Sequence, residues 1–153
     1  MRPRRGFTII ELLTVFIIAG IVMAITLPKL SGLADINGVR AAKQELSSYI
    51  VVARAAGIRR GQRSQFRIAA GSLSVLVDSS GTFVKIRRDL PLANNQKVTV
   101  TTGGTTGADS ILFNTRGFSS NLTGTHVYVI TRGSVTDSVC VSKLGLIARR
   151  CGA

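Results

Sequence analysis

Glu11 is the residue whose type and place most plainly imply chemistry, because it is an acid inside an apolar run. Between Phe7 and Leu30 the only ionised side chains are Glu11 and, at the far end, Lys29. Roughly 20 consecutive apolar residues suffice to cross a bilayer as a helix. A carboxylate inside such a span costs about 2.5–3.5 kcal/mol at the centre and less near an end, so it usually has a partner. Other reactive groups are sparse. His126 is the only histidine and there is no Gly-x-Ser-x-Gly turn, so a hydrolase triad lacks its parts. Asp35, Glu45, Asp78, Asp89, Asp109 and Asp137 are scattered singly and suggest no carboxylate dyad. Gly103-Gly104-Thr105-Thr106-Gly107 is glycine-rich but lacks the Gly-Lys-Ser/Thr of a phosphate-cradling loop, and turn chemistry accounts for it. The chain reads as a non-enzyme without cofactor or metal.

The elements that must position Glu11 begin with a short basic leader, Met1-Arg2-Pro3-Arg4-Arg5-Gly6. Three arginines ahead of a span hold that end in the cytoplasm and send the rest of the chain across. A cleavable secretory signal should end its apolar region in an Ala-x-Ala-like site. The stretch Thr26-Leu27-Pro28-Lys29-Leu30-Ser31 has none. An ordinary membrane anchor fits everything except Glu11.

Gly6-Phe7-Thr8-Ile9-Ile10-Glu11-Leu12-Leu13, followed by an unbroken apolar helix, resembles the class III signal of type IV prepilins and type II secretion pseudopilins. The match covers the basic leader ending in Gly6, Phe7, and Glu11 at the fifth position after that glycine, with Pro28 where these proteins commonly kink their helix. The resemblance implies that a membrane-embedded prepilin peptidase cuts between Gly6 and Phe7, and that the new Phe7 amine is N-methylated. It also implies a partner for Glu11. The amine is a charge in a low-dielectric setting where an unpaired one is strongly disfavoured, and Glu11 lies about 6 Å of helix rise along. Its carboxylate would meet the Phe7 amine of a neighbouring subunit and fix the register between them.

Beyond Pro28 the pattern changes. Ile36, Val39, Ala42, Leu46, Tyr49, Ile50 and Ala53 recur at helical spacing, with Arg40, Lys43, Gln44, Glu45 and Ser47 opposite. This predicts an amphipathic helix packed on a soluble domain, weakened at Gly32 and Gly38, where local melting is expected, and ending between Gly57 and Gly61. Short alternating runs follow, as in antiparallel strands. They are Phe66 to Ile68, Leu73 to Val77, Phe83 to Arg88, Lys97 to Thr101, Ser110 to Phe113, His126 to Thr131, Val135 to Val141 and Leu146 to Cys151. Residues 101–107 and 117–124 read as loops. The expected organisation is a leader (1–6), a transmembrane assembly helix (7–30), its amphipathic continuation (31–61) and a periplasmic β domain (62–153). The fold class is α+β, a long helix on an antiparallel β domain of two small sheets, which the resemblance makes pilin-like.

Cys140 and Cys151 lie on the exported side, where disulfides persist. A turn between Gly145 and Leu146 would set them opposite one another on a hairpin, and a bridge there would contribute roughly 3 kcal/mol. Zinc is the alternative use of the pair, but two cysteines and one distant histidine make a poor metal site. The disulfide is the expectation.

The chain of 153 residues has 20 basic and 7 acidic residues and a formal charge of +13. Loss of Arg2, Arg4 and Arg5 with the leader leaves a large excess, which points to anionic partners without choosing among nucleic acid, lipid and acidic protein. Ala53-Arg54-Ala55-Ala56-Gly57-Ile58-Arg59-Arg60-Gly61 and Ile111-Leu112-Phe113-Asn114-Thr115-Arg116-Gly117 resemble segments of GspH/FimT-type pseudopilins. That resemblance implies a minor subunit of a pseudopilus or pilus at the bacterial inner membrane, with other pilin subunits, the prepilin peptidase and the membrane as partners. Some members of the FimT branch bind duplex DNA through Gly-Arg-x-Arg on the last hairpin. Here Gly145 is kept, but Leu146 and Ala148 replace the two arginines. The candidate anion-binding residues become Arg116, Arg132, Lys143, Arg149 and Arg150, against the alternatives of a merely solvated basic surface and of contacts with anionic lipid or lipopolysaccharide.

Overall fold

The computed structural model describes residues 8–103, 107–148 and 151. It divides into two compact units, Met1–Ala34 and Asp35–Ala153. Helix α1, Ile9–Arg60, contributes to both. In the first unit, Ile9–Thr26 has a mean hydropathy of 2.6 and is long and apolar enough to cross a membrane, with none of it buried.

In the second unit α1 is one-sided. Val39, Ala42, Leu46, Tyr49, Ile50 and Ala53 are buried, the face that the spacing marks out. The helix ends where a residue must turn left-handed. Gly61 has φ 61°, its amide donates to the Ile58 carbonyl (3.3 Å), and the Gln62 amide donates to the Gly57 carbonyl (3.2 Å). This is a Schellman end, which satisfies carbonyls the helix itself leaves unpaired.

Nine strands follow among the described residues. Strands β1 (Ser64–Ala69), β2 (Ser72–Ser79), β3 (Thr82–Lys85), β4 (Leu90–Pro91) and β6 (Asp109–Phe113) form one antiparallel sheet in the order β3-β2-β1-β6, with β4 also on β2. Strands β5 (Thr99–Thr102), β7 (His126–Arg132), β8 (Val135–Val141) and β9 (Ile147–Ala148) form the other in that order. A short helix α2, Leu92–Gln96, precedes β5. Phe66 of one sheet meets Tyr128 of the other edge-to-face at 5.9 Å. The buried core, from Val39 to Val141, lies wholly within the second unit, so residues 35–153 keep all of it.

Several expectations need correction. Strand β3 stops at Lys85 instead of reaching Arg88, and β4 and α2 come where only a connection is expected. The last run forms two residues of strand, because the turn is centred earlier than Gly145-Leu146. The Ser142 amide donates to the Leu146 carbonyl and the Gly145 amide to the Ser142 carbonyl, which pairs Cys140 with Ala148 instead of Cys151. Helix α1 runs unbroken through Gly32 and Gly38. Gly38 is buried, and a Cβ there would collide with the Arg132 side chain crossing the helix. Its small size serves close packing.

Candidate functional site

The carboxylate of Glu11 is held by its own helix end. Thr8 stands just before α1, its amide donating to Glu11 Oε2 (3.0 Å) and its hydroxyl donating to the same oxygen (3.0 Å). The Glu11 amide donates in return to Thr8 Oγ1 (3.3 Å). This is a capping box, in which the first and fourth residues of Thr-x-x-Glu satisfy each other's backbone donors. The signal is present in Thr8-Ile9-Ile10-Glu11, but an apolar-run reading passes over it. The other polar side chains of the span are treated alike. The Thr14 hydroxyl donates to the carbonyls of Ile10 (3.0 Å) and Glu11 (2.9 Å), and the Thr26 hydroxyl to that of Val22. The polar side chains of Ile9–Thr26 thus all find partners on their own chain, which is what a hydrocarbon medium demands. Gly6 and Phe7 lie outside the described residues, and Pro28 lies within the helix.

The candidate cations do not form one set. Arg116 and Lys143 are exposed on two abutting turns, joined where the Ser119 amide donates to the Lys143 carbonyl (3.0 Å). Arg54 Nε ties the helix to the same place through the Gly117 carbonyl (3.0 Å). Arg132 is elsewhere and engaged. Its Nε donates to Asp35 Oδ1 (2.9 Å) and its Nη1 to the Gln96 carbonyl (2.8 Å), with 22% of its side chain exposed. The structure thus parts Arg132 from Arg116 and Lys143. Arg149 and Arg150 lie outside the described residues. Arg59 and Arg60, the last turn of α1, are exposed.

Other charges join helix to sheet. Lys43 Nζ donates to both oxygens of Asp137 (2.8 and 2.9 Å). Desolvation raises the Asp137 carboxyl, but hydrogen bonds from Lys43 and the Ser138 amide, with the charges of Lys43 and Arg40, outweigh it and set the pKa below the usual carboxylate value. His126 Nε2 pairs with Asp109 Oδ2 at 2.6 Å and its ring meets the Tyr128 ring at 4.9 Å. Burial, with the nearby Asp109 charge, pushes the Tyr128 phenol far above its ordinary pKa, and its hydroxyl has no hydrogen-bond partner among the described residues. His126 is thus held as a structural residue of β7. Cys140 and Cys151 form a disulfide with their Cα atoms 5.3 Å apart, and Cys151 Sγ lies 3.1 Å from Ser138 Oγ.

Two family models match the chain. The prokaryotic N-terminal methylation motif matches residues 1–27, and the type II transport protein GspH model matches residues 42–145. The chain belongs to the GspH family. Comparison with curated proteins finds no match. Two crystal forms of the type IV minor pilin FimU of Pseudomonas aeruginosa (strain PAO1) share the fold. One has a TM-score of 0.59 at 17% identity over 73% of this chain and 87% of FimU, and the other 0.56 at 17% over 71% and 90%. As a GspH-family protein with a prepilin-type N-terminus, the chain is of the minor pilin and pseudopilin kind, a structural subunit and not an enzyme. The GspH match includes Arg116, Arg132 and Lys143, while Glu11 falls within the methylation motif.

Proposed function

We propose that the chain is a minor pseudopilin or minor pilin, a structural subunit of a type II secretion pseudopilus or type IV pilus. It waits in the bacterial inner membrane as a single-pass protein, N-terminus in the cytoplasm and β domain in the periplasm. A prepilin peptidase cuts between Gly6 and Phe7, and the Phe7 amine is N-methylated. The subunit then joins others through residues 7–30. The observation that carries this reading is the pair of matches, a methylation motif over residues 1–27 and a GspH domain over 42–145 in one chain. A further support is the placement of the Glu11 carboxylate against the amide of Thr8, the residue next to Phe7. A charged amine at Phe7 requires such a counter-ion in a low-dielectric medium, and the amine of an adjacent subunit can take it as the helices stack. Mass spectrometry of the mature protein from its native host is expected to find a methylated Phe7 terminus; an intact Met1 overturns the reading. Glu11→Leu is expected to leave the protein anchored but missing from fibres.

A second reading, duplex DNA capture for transformation, is favoured by Arg116 and Lys143 standing on abutting turns without ion pairs among the described residues. Phosphate contact through such cations is steeply salt-dependent. A gel shift with residues 31–153 tests it. Absence of binding at low salt removes it, and binding lost in an Arg149→Ala/Arg150→Ala variant supports it.

A further inference from the structure

The C-terminal end of α1 presents a surface unlike the rest of the second unit. Six large apolar side chains of that unit are exposed among the described residues: Val51, Ile58, Val84, Phe118, Leu144 and Leu146. Val51 and Val84 stand on separate elements, as scattered exposed residues normally do. The other four gather. Ile58 lies against Gly117, Gly145 backs onto the Gly117 carbonyl and the Phe113 ring, and Ser119 is bonded to Lys143. Phe118, Leu144 and Leu146 are 41%, 54% and 50% exposed.

The same turns carry Arg116 and Lys143, both exposed and neither in an ion pair among the described residues, while Arg59 and Arg60 border a neighbouring groove with Val52 and Ile86. Residues 57–63, 113–120 and 141–148 contain no acid. The Asp78 carboxylate is taken up by Arg63 (2.7 Å) and by the Gly81 amide (2.9 Å). Cations of one sign around protruding apolar side chains define the occupant by charge and by polarity together.

We infer that this end docks on an anionic phospholipid surface. Phe118, Leu144 and Leu146 enter the boundary between headgroups and acyl chains, and Arg116 and Lys143 meet the phosphates around them. Interfacial binding combines buried apolar area with attraction to anionic lipid, and both parts are present. A nucleic-acid backbone uses the cations and polar groups alone and leaves the two leucines in water, so duplex DNA fits the surface less well. The inference does not depend on processing or polymerisation.

The test uses residues 35–153, which hold the whole core, sedimented with phosphatidylcholine vesicles containing or lacking phosphatidylglycerol. Binding is expected to the anionic vesicles and about tenfold weaker to the neutral ones. Leu144→Ser/Leu146→Ser is expected to weaken anionic-vesicle binding by about tenfold or more. Lys143→Glu is expected to do so by about tenfold. Arg67→Glu, an exposed strand residue away from these turns, makes the same change in net charge and is expected to leave binding within about twofold. Circular-dichroism melts check that each variant is folded, and Leu144→Ser alone serves if the double variant is not. Wild-type vesicle binding by the folded leucine variant overturns the inference, as does equal loss in Arg67→Glu and Lys143→Glu. Duplex DNA bound in preference to the vesicles, with no dependence on the leucines, also overturns it.

Discussion

Helix α1 contains two stretches that are built in opposite senses. Along Ile9–Thr26 the apolar side chains face outward, with Phe16 69% and Ile18 62% exposed, while Glu11, Thr14 and Thr26 turn their polar atoms back onto their own chain. Along residues 35–60 the apolar face is shut away and the polar atoms reach across to strands and turns, Lys43 to Asp137, Asp35 to Arg132 and Arg54 to the Gly117 carbonyl. The backbone is the same; the medium each stretch is made for is not. The first is complete only when lipid or other chains cover it, whereas the second finds its covering in the β domain.

The strongest way to break this contrast is by truncation in each stretch. Leu46→Ala, at a fully buried position, is expected to lower the unfolding free energy of the second unit by about 3–4 kcal/mol. Ile17→Ala is expected to leave that unit's urea midpoint unchanged when both variants are compared as full chains in detergent micelles. Equal losses would mean that the two stretches are not energetically distinct. The next effect sharpens the role of the helix-to-strand contacts. Gly38→Ala is expected to destabilise by about 1–2 kcal/mol because it displaces Arg132 from Asp35 and Gln96. In an Arg132→Ala background the same change should reverse sign and stabilise by up to about 1 kcal/mol through helix propensity. The same sign in both backgrounds would refute the crossing as the reason for the glycine.

In the first stretch, Thr8→Val is expected to cost the helix start about 1 kcal/mol, visible as faster amide exchange at Ile9 to Glu11 in micelles with no change in exchange along β1 or β7. The smallest effect is the pH response of the Lys43–Asp137 pair. Because the folded pKa of Asp137 is depressed, its contribution is present above the ordinary carboxylate value near 3.9. It is lost as pH falls through the lower folded value. With its side chain 39% exposed, the contribution is under about 1 kcal/mol. Asp137→Asn should flatten the acid limb of the stability curve by that amount, and a limb that stays as steep would assign the response to other acids.

Much of the second unit is legible in the residue order. The buried face of α1 is a periodicity, Gly61 is a stop signal, and eight of the nine described strands fall in the alternating runs. What is not legible depends on partners far along the chain. Gly38 reads as a weak point until Arg132, nearly a hundred residues later, is seen to cross it. Arg132 reads as one cation among several until Asp35 and Gln96 claim it. The register of β8 on β9 escapes a sequence reading because Ser142 bonds both Leu146 and Gly145, which centres the turn on Leu144 and moves the residue opposite Cys140 three places, from Cys151 to Ala148. Beta strand β4 and helix α2 are too short to carry a period. The Thr8–Glu11 box is the reverse case, a local pattern of four residues that the surrounding apolar run conceals.

The covalent link beyond β9 also governs when the sheet can be finished. Only two residues of β9 shield the outer rim of β8, and Cys151 fastens the following segment to that strand through Cys140. An unguarded rim is a template for another chain, so in thiol-rich surroundings the closing strand would peel and leave a sticky border. Oxidation seals it. The Cys140–Cys151 bond thus does for the sheet border what a longer closing strand would otherwise have to do.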